Sequence, residues 1–101
     1  IVPNYIKEAN YKLGNALYQS GKFTESIDAL NTAIKLFPDH PDKSWSELIL
    51  ADALKKIENN QQATAQLNQL IKSESGDDIM KKVAASKLKM MEWEKEVEGS
   101  L

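Results

Sequence analysis

The sequence predicts an all-α protein built from two tandem antiparallel helical hairpins and a closing fifth helix. Three observations carry that prediction. The first is internal repetition: Leu13-Gly14-Asn15-Ala16-Leu17 aligns with Leu50-Ala51-Asp52-Ala53-Leu54, 37 positions downstream. The same offset carries Ser26 onto Ala63, Leu30 onto Leu67, Ala33 onto Leu70, Ile34 onto Ile71 and Lys35 onto Lys72. Apart from Ala33 on Leu70, small residues fall on small ones and large apolar residues on large ones, as expected of a stacked helical unit used twice. The second observation is that apolar residues within each unit recur at intervals of three and four, the period of an amphipathic helix. The third is the lack of any alternating apolar–polar run that would suit a strand.

The elements follow in order. Ala9, Leu13, Ala16 and Leu17 give the first helix its apolar spacing, and Ile27, Leu30, Ala33, Ile34 and Phe37 give the second. Ser20-Gly21-Lys22 stops one and restarts the other, glycine being the residue that most readily takes a left-handed helix end. Pro38 and Pro41 end the second helix, because proline cannot donate the next backbone hydrogen bond. Ser44-Trp45-Ser46-Glu47 reads as a capping box opening the third helix. Asn59-Asn60 breaks the second unit, with Asn59 capping the fourth helix and Gln62 reaching back to it. Ser73 to Asp78 is polar and contains one glycine, which suits a loop. A fifth helix runs from about residue 78 to about 97, with Val83, Ala84, Leu88 and Met91 as its expected inward face. Gly14, Ala33, Ala51 and Ala63 are the expected points of close approach between paired helices.

Composition narrows the function classes. A chain of 101 residues suits one domain, and 42% hydrophobic with 28% charged residues is globular composition. Thirteen cations against fifteen acids give a net charge of −2, which argues against a nucleic-acid clamp or a polybasic membrane anchor. All the cations are lysine, so the bidentate fork used for phosphate and guanine is missing. Without cysteine there is no disulfide, thiolate nucleophile or Cys-based zinc site. The longest apolar run is Leu48 to Ala51, far short of the about 20 residues that span a bilayer. The chain begins at Ile1, which reads as a processed product or a piece of something longer.

Taken together, these features resemble the tetratricopeptide repeat (TPR), whose usual period is about 34 residues. Repeat one, about 7–40, carries Leu13-Gly14, Gly21-Lys22-Phe23, Ile27, Ala33 and the closing Pro38. It departs at Asn10, Leu17 and Ser26, where the motif prefers tryptophan, tyrosine and alanine. Repeat two, about 44–77, keeps Leu50, Leu54, Ala63 and Leu67, with Ala51 for the glycine and Ser75 for the closing proline. The end helix, about 78–97, resembles the solvating helix of such arrays. The resemblance implies one TPR-like domain over residues 1–101, its hairpins stacked as a right-handed superhelix. Phe37-Pro38-Asp39-His40-Pro41 also resembles the junction of a bacterial envelope subgroup that includes the Tol-Pal-associated periplasmic cell-division coordinator. That likeness leans towards the periplasm, while composition leaves periplasm and cytoplasm both open.

The resemblance implies that the first helix of each hairpin lines a concave groove for a partner segment. Residue-by-residue transfer gives Tyr11, Asn15, Tyr18, Trp45, Ile49 and Asp52 as the partner-binding set, flanked by Glu8, Lys12, Gln19, Leu48, Lys55 and Lys56. Rigid aromatics lose little entropy on binding and are enriched at interface hot spots. Tyr11, Tyr18, Trp45, Leu48 and Ile49 either line the groove or pack beneath the fifth helix or a neighbouring repeat, with Trp45 and Ile49 leaning towards the groove. The carboxylate clamp of chaperone-binding relatives is broken: Asn15 matches, but Tyr11 and Ile49 replace its lysine and second asparagine, and there is no arginine.

Catalysis is not expected. His40 is the single histidine and sits in a proline-flanked turn expected to be solvated. Asp77-Asp78 suits a helix N-terminus, and Glu92, Glu94, Glu96 and Glu98 suit a solvated face. No phosphate loop, metal set or nucleophile triad occurs, so no cofactor and no metal are expected. Met90, Met91 and Trp93 cannot all face one core, so at least one forms an exposed apolar edge. Two readings result. One is a non-enzymatic scaffold that binds a partner peptide or helix in its groove, with neither nucleic acid nor direct membrane insertion. The other is an assembly element that stacks on neighbouring repeats or associates weakly with its own copies.

Overall fold

A computed structural model describes residues 2–73 and 77–100, and among these described residues there are five helices and no strand. They are α1 (Asn4–Gln19), α2 (Phe23–Leu36), α3 (Lys43–Lys56), α4 (Asn60–Lys72) and α5 (Asp78–Ser100). The expected loop at 73–78 falls partly on residues 74–76, which lie outside the described residues. α5 runs to Ser100, longer than its periodicity indicated.

Helices α1 and α2 form one hairpin, α3 and α4 the next, and α5 packs against α4 and α3. Contacts from α1 to α3 and from α3 to α5 place the odd-numbered helices in one layer, with α2 and α4 behind them. Two apolar clusters hold the layers together. Leu30, Leu50, Leu54 and Ala63 join α2, α3 and α4. Leu48, Ala51, Leu67, Leu70 and Ala84 join α3, α4 and α5. Met91 packs against both, its flexible thioether filling the space between them.

The small residues do what their size suggests. Gly14, Ala33, Ala51 and Ala63 are all buried. A Cβ on Gly14 would collide with the Leu30 side chain, so glycine sets the α1–α2 spacing. Ser26, one of the departures from the repeat pattern, donates its hydroxyl to the Gly14 carbonyl at 2.7 Å within this contact. A buried hydroxyl with a partner keeps its burial inexpensive.

Helix ends repeat as faithfully as helix faces. At the end of α1, Lys22 N–H bonds the Leu17 carbonyl and Gly21 N–H bonds that of Tyr18, with Gly21 at φ +80°. At the end of α3, Asn59 N–H bonds Leu54 and Glu58 N–H bonds Lys55, with Glu58 at φ +65°. Both are Schellman closures. The break in the second unit therefore centres on Glu58, one residue before the expected Asn59-Asn60. Asn59 does cap α4, its side chain accepting from the Gln62 backbone N–H at 3.3 Å. The expected capping box at Ser44–Glu47 does not form. α3 starts two residues earlier, with Asp42 at the N-cap position and Lys43 as its first residue, and has no side-chain cap. Glu47 is instead buried, accepting from Gln66 Nε2 at 3.2 Å and lying 3.9 Å from Lys43 Nζ.

The inward face of α5 consists of Ala84, Leu88 and Met91, with Met80 joining them. Val83 was expected there and is exposed instead, because the side of α5 that meets α4 lies about a quarter-turn or more from it. At the start of α5, the Asp77 carboxylate accepts from the Ile79 N–H at 2.7 Å, as the helix-terminus reading requires.

Candidate functional site

Five of the six residues assigned to the groove come together. Asn15, Tyr18, Trp45, Ile49 and Asp52 line one cleft of about 360 Å³, with Gln19, Leu48, Val83 and Lys87 completing it. α1 supplies Asn15 and Tyr18 from one face because three and four residues make about one turn. α3 supplies Trp45, Ile49 and Asp52 at the same spacing, and α5 closes the far side. Trp45 is 51% exposed at the rim. Tyr18 is partly buried, its ring edge-on to Phe23 at 5.5 Å between centroids. Leu48 is buried as the floor, where it both lines the cleft and packs in the cluster that includes Ala84 of α5. Ile49 is partly buried and touches the α2–α3–α4 cluster, so it serves groove and core together.

Tyr11 is the exception. The open face predicted for it does not exist: Tyr11 is fully buried. Its hydroxyl donates to the Phe37 carbonyl at 2.7 Å, and its ring stacks on His40 at 4.8 Å. The α2–α3 connection folds back over α1 and covers it. Burial, with Glu47 and Asp42 adding negative potential, pushes the Tyr11 hydroxyl up to about 12. His40 is correspondingly not the solvated turn residue expected; its side chain is 9% exposed, and Nδ1 accepts from the Asp42 N–H at 3.1 Å.

The polar groups of the cleft are mostly paired. Lys87 Nζ reaches both Asp52 oxygens, at 3.1 and 3.2 Å, tying α5 to α3 across the groove. Lys55 and Glu94 form a second tie at 3.1 Å. Burial raises the Tyr18 hydroxyl, with Asp52 contributing. Asn15 Oδ1 is buried and finds no donor among the described residues. Beyond the Asp52–Lys87 pair the groove continues into a second cleft of about 360 Å³ lined by Ala51, Leu67, Ser86, Met90 and Met91. Val83 and Lys87 are the wall residues that sequence reasoning missed. The signal was available in Lys87, which stands 37 positions after Leu50 and breaks the apolar pattern there.

No group of three or more histidine, cysteine or acidic residues suited to a metal ion occurs among the described residues. Nor is any described helix long and apolar enough to cross a membrane.

Paired helices in two layers, with an open groove on the odd-numbered helices, define a helical-repeat scaffold. The tetratricopeptide repeat family profile matches residues 5–73, well over half of the chain, and the protein belongs to that family. Such repeats generally mediate protein–protein interaction and are typically non-catalytic. No match was found among curated proteins or among solved structures.

Proposed function

We propose that the protein holds a segment of a partner protein, extended or helical, in the groove between α1, α3 and α5. The observation that carries this reading is the convergence of Asn15, Tyr18, Trp45, Ile49 and Asp52 on one cleft. Tyr18, Trp45, Ile49 and Val83 offer an apolar seat for a bulky side chain. The unmet Asn15 carbonyl oxygen accepts a backbone N–H from the bound segment, which is worth more there than in water because the site is desolvated. The Phe37–Pro41 junction supports a place in the bacterial envelope subgroup, hence the periplasm.

The test is capture by the chain as bait from its native cells, beside a Trp45→Ala variant. Trp45 is half exposed, so its truncation leaves the fold and melting point in place. A double change with Ile49→Ala is less clean, because Ile49 also packs on the core. The expected result is one principal prey whose capture weakens at least about tenfold in the variant, the weight of one interface hot spot. Equal capture by both baits overturns the groove assignment.

A second reading, stacking on neighbouring repeats, is favoured by a different observation. Leu13 lies 55% exposed on α1, whereas its counterpart Leu50 is covered by α2. On this reading α1 accepts another repeat helix as α3 accepts α2.

A further inference from the structure

The fifth helix carries a second apolar stripe, off the face that packs on α4, which is exposed apart from its share of the groove walls at Val83 and Met90. Ile79, Val83, Met90, Trp93 and Val97 are all exposed, Ile79 at 69% and Trp93 at 60%. With Ser86 they recur at alternating intervals of four and three residues over α5. That is the a/d seam of a two-helix coil, distinct from the Ala84, Leu88 and Met91 side that packs on α4. Solitary exposed apolar residues are ordinary, but a stripe in register along one helix marks a contact surface.

The charges of α5 are divided by position along the helix, with Lys82, Lys87, Lys89, Glu94 and Glu96 flanking the stripe. Residues 81–89 hold Lys81, Lys82, Lys87 and Lys89 and no acid. Residues 92–98 hold Glu92, Glu94, Glu96 and Glu98 with Lys95. The stripe is also its own complement when reversed. Run antiparallel about the level of residue 88, Ile79 meets Val97 of the other copy, Val83 meets Trp93, and the small Ser86 meets Met90. Each contact then occurs twice, as a two-fold interface requires.

We propose that two copies of this protein pair antiparallel along α5 through Ile79, Val83, Met90, Trp93 and Val97. The lysine-bearing start of one helix then lies beside the glutamate-bearing end of the other, and the helix dipoles oppose. A parallel pairing lays lysine on lysine and aligns the dipoles. Lys89 meets its own counterpart near the axis, and its long stem carries the ammonium out to water. Lys87 is already neutralised by Asp52. This inference does not rest on the groove reading: Trp93 and Val97 line neither groove cleft, and Trp45 lies off the stripe.

The test is sedimentation equilibrium of the chain from micromolar to millimolar concentration. The expected mass rises from 11.3 kDa towards twice that value. Trp93→Glu, with its helical signal intact, weakens the dimer at least roughly thirtyfold, as loss of a central aromatic does; if Trp93→Glu disturbs helicity, Val97→Glu decides. Trp45→Ala dimerises like the wild type. Orientation is read in this cysteine-free chain by single substitutions: Lys89→Cys cross-links to its own copy on oxidation, and Ile79→Cys does not. A monomer throughout, a dimer untouched by Trp93→Glu and Val97→Glu, or self-cross-linking of Ile79→Cys overturns the proposal. So does a dimer disrupted by Trp45→Ala.

Discussion

The two hairpins repeat one apolar pattern, yet equivalent positions meet opposite fates. Leu13 and Leu50 stand 37 residues apart, at the same point of α1 and α3. Leu13 is 55% exposed and Leu50 is 2% exposed. Ala9 and Ala16 are likewise exposed, while their counterparts Ser46 and Ala53 are buried. Local structure is shared down to the closing hydrogen bonds of both helices, so the difference lies one level up. α3 has α2 on its outer side, and α1 has no such neighbour among the described residues. Periodicity writes an apolar face into a helix; the neighbour decides whether that face becomes core.

The strongest way to break this comparison is truncation of both leucines. Leu50→Ala is expected to cost about 3 kcal/mol of folding stability, within the range for buried leucines. Leu13→Ala is expected to stay within about 0.5 kcal/mol, as exposed substitutions do. Denaturant titration of both variants measures the contrast, and equal costs would mean that α1 is covered in solution.

Next in size is the close approach of the first hairpin. Gly14→Ala drives a methyl into the fully buried Leu30, and overpacking of this kind costs about 1–3 kcal/mol. Ala51→Gly, at the equivalent position, costs about 1 kcal/mol for a different reason, the lost helix propensity. Combining Gly14→Ala with Leu30→Val should recover part of the first loss and none of the second.

The helix ends sharpen the comparison further. Gly21→Ala is expected to cost about 1 kcal/mol and Glu58→Gly to gain a similar amount, because both sites have positive φ and only one has the residue suited to it. A rise in melting temperature for one and a fall for the other is the signature.

The smallest effect is pH-linked. Glu47 occupies the position of Asn10, and burial raises its carboxyl above the ordinary value of 4.5, partly offset by Lys43. A raised carboxyl favours the neutral form in the fold. Its contribution is therefore complete below about 4.5 and is lost as pH rises through the raised value. Glu47→Gln should stabilise the protein slightly at neutral pH and match the wild type in acid, with Gln66 still able to bond the new amide. Stability profiles that run parallel at all pH values would contradict this.

Much of this was legible in the residues. Gly14 and Ala33 reported close packing because only small side chains permit it. Asn15, Tyr18, Trp45, Ile49 and Asp52 were legible through the repeat resemblance, and helical register keeps each helix's share of them on one face. Tyr11 lay on that register too, but its burial depends on the Phe37–Pro41 connection turning back over α1, a tertiary event with no local signal. Glu47 was read as a cap because its spacing from Ser44 suited one, whereas α3 had already begun at Lys43. Val83 was misplaced because α5 carries two apolar stripes, and periodicity alone does not rank them.

Tyr11 also joins what repetition leaves separate. It belongs to the first helix, yet its hydroxyl and ring are both spent on the connection leading into the third. In a chain of similar units each hairpin is a step that can open on its own, and cooperativity resides in the couplings between steps. A single phenol bonded to Phe37 and stacked on His40 makes the fraying of α1 and the loosening of the α2–α3 joint one event. The molecule should therefore yield to heat or pulling less like a zipper opening tooth by tooth and more like a clasp.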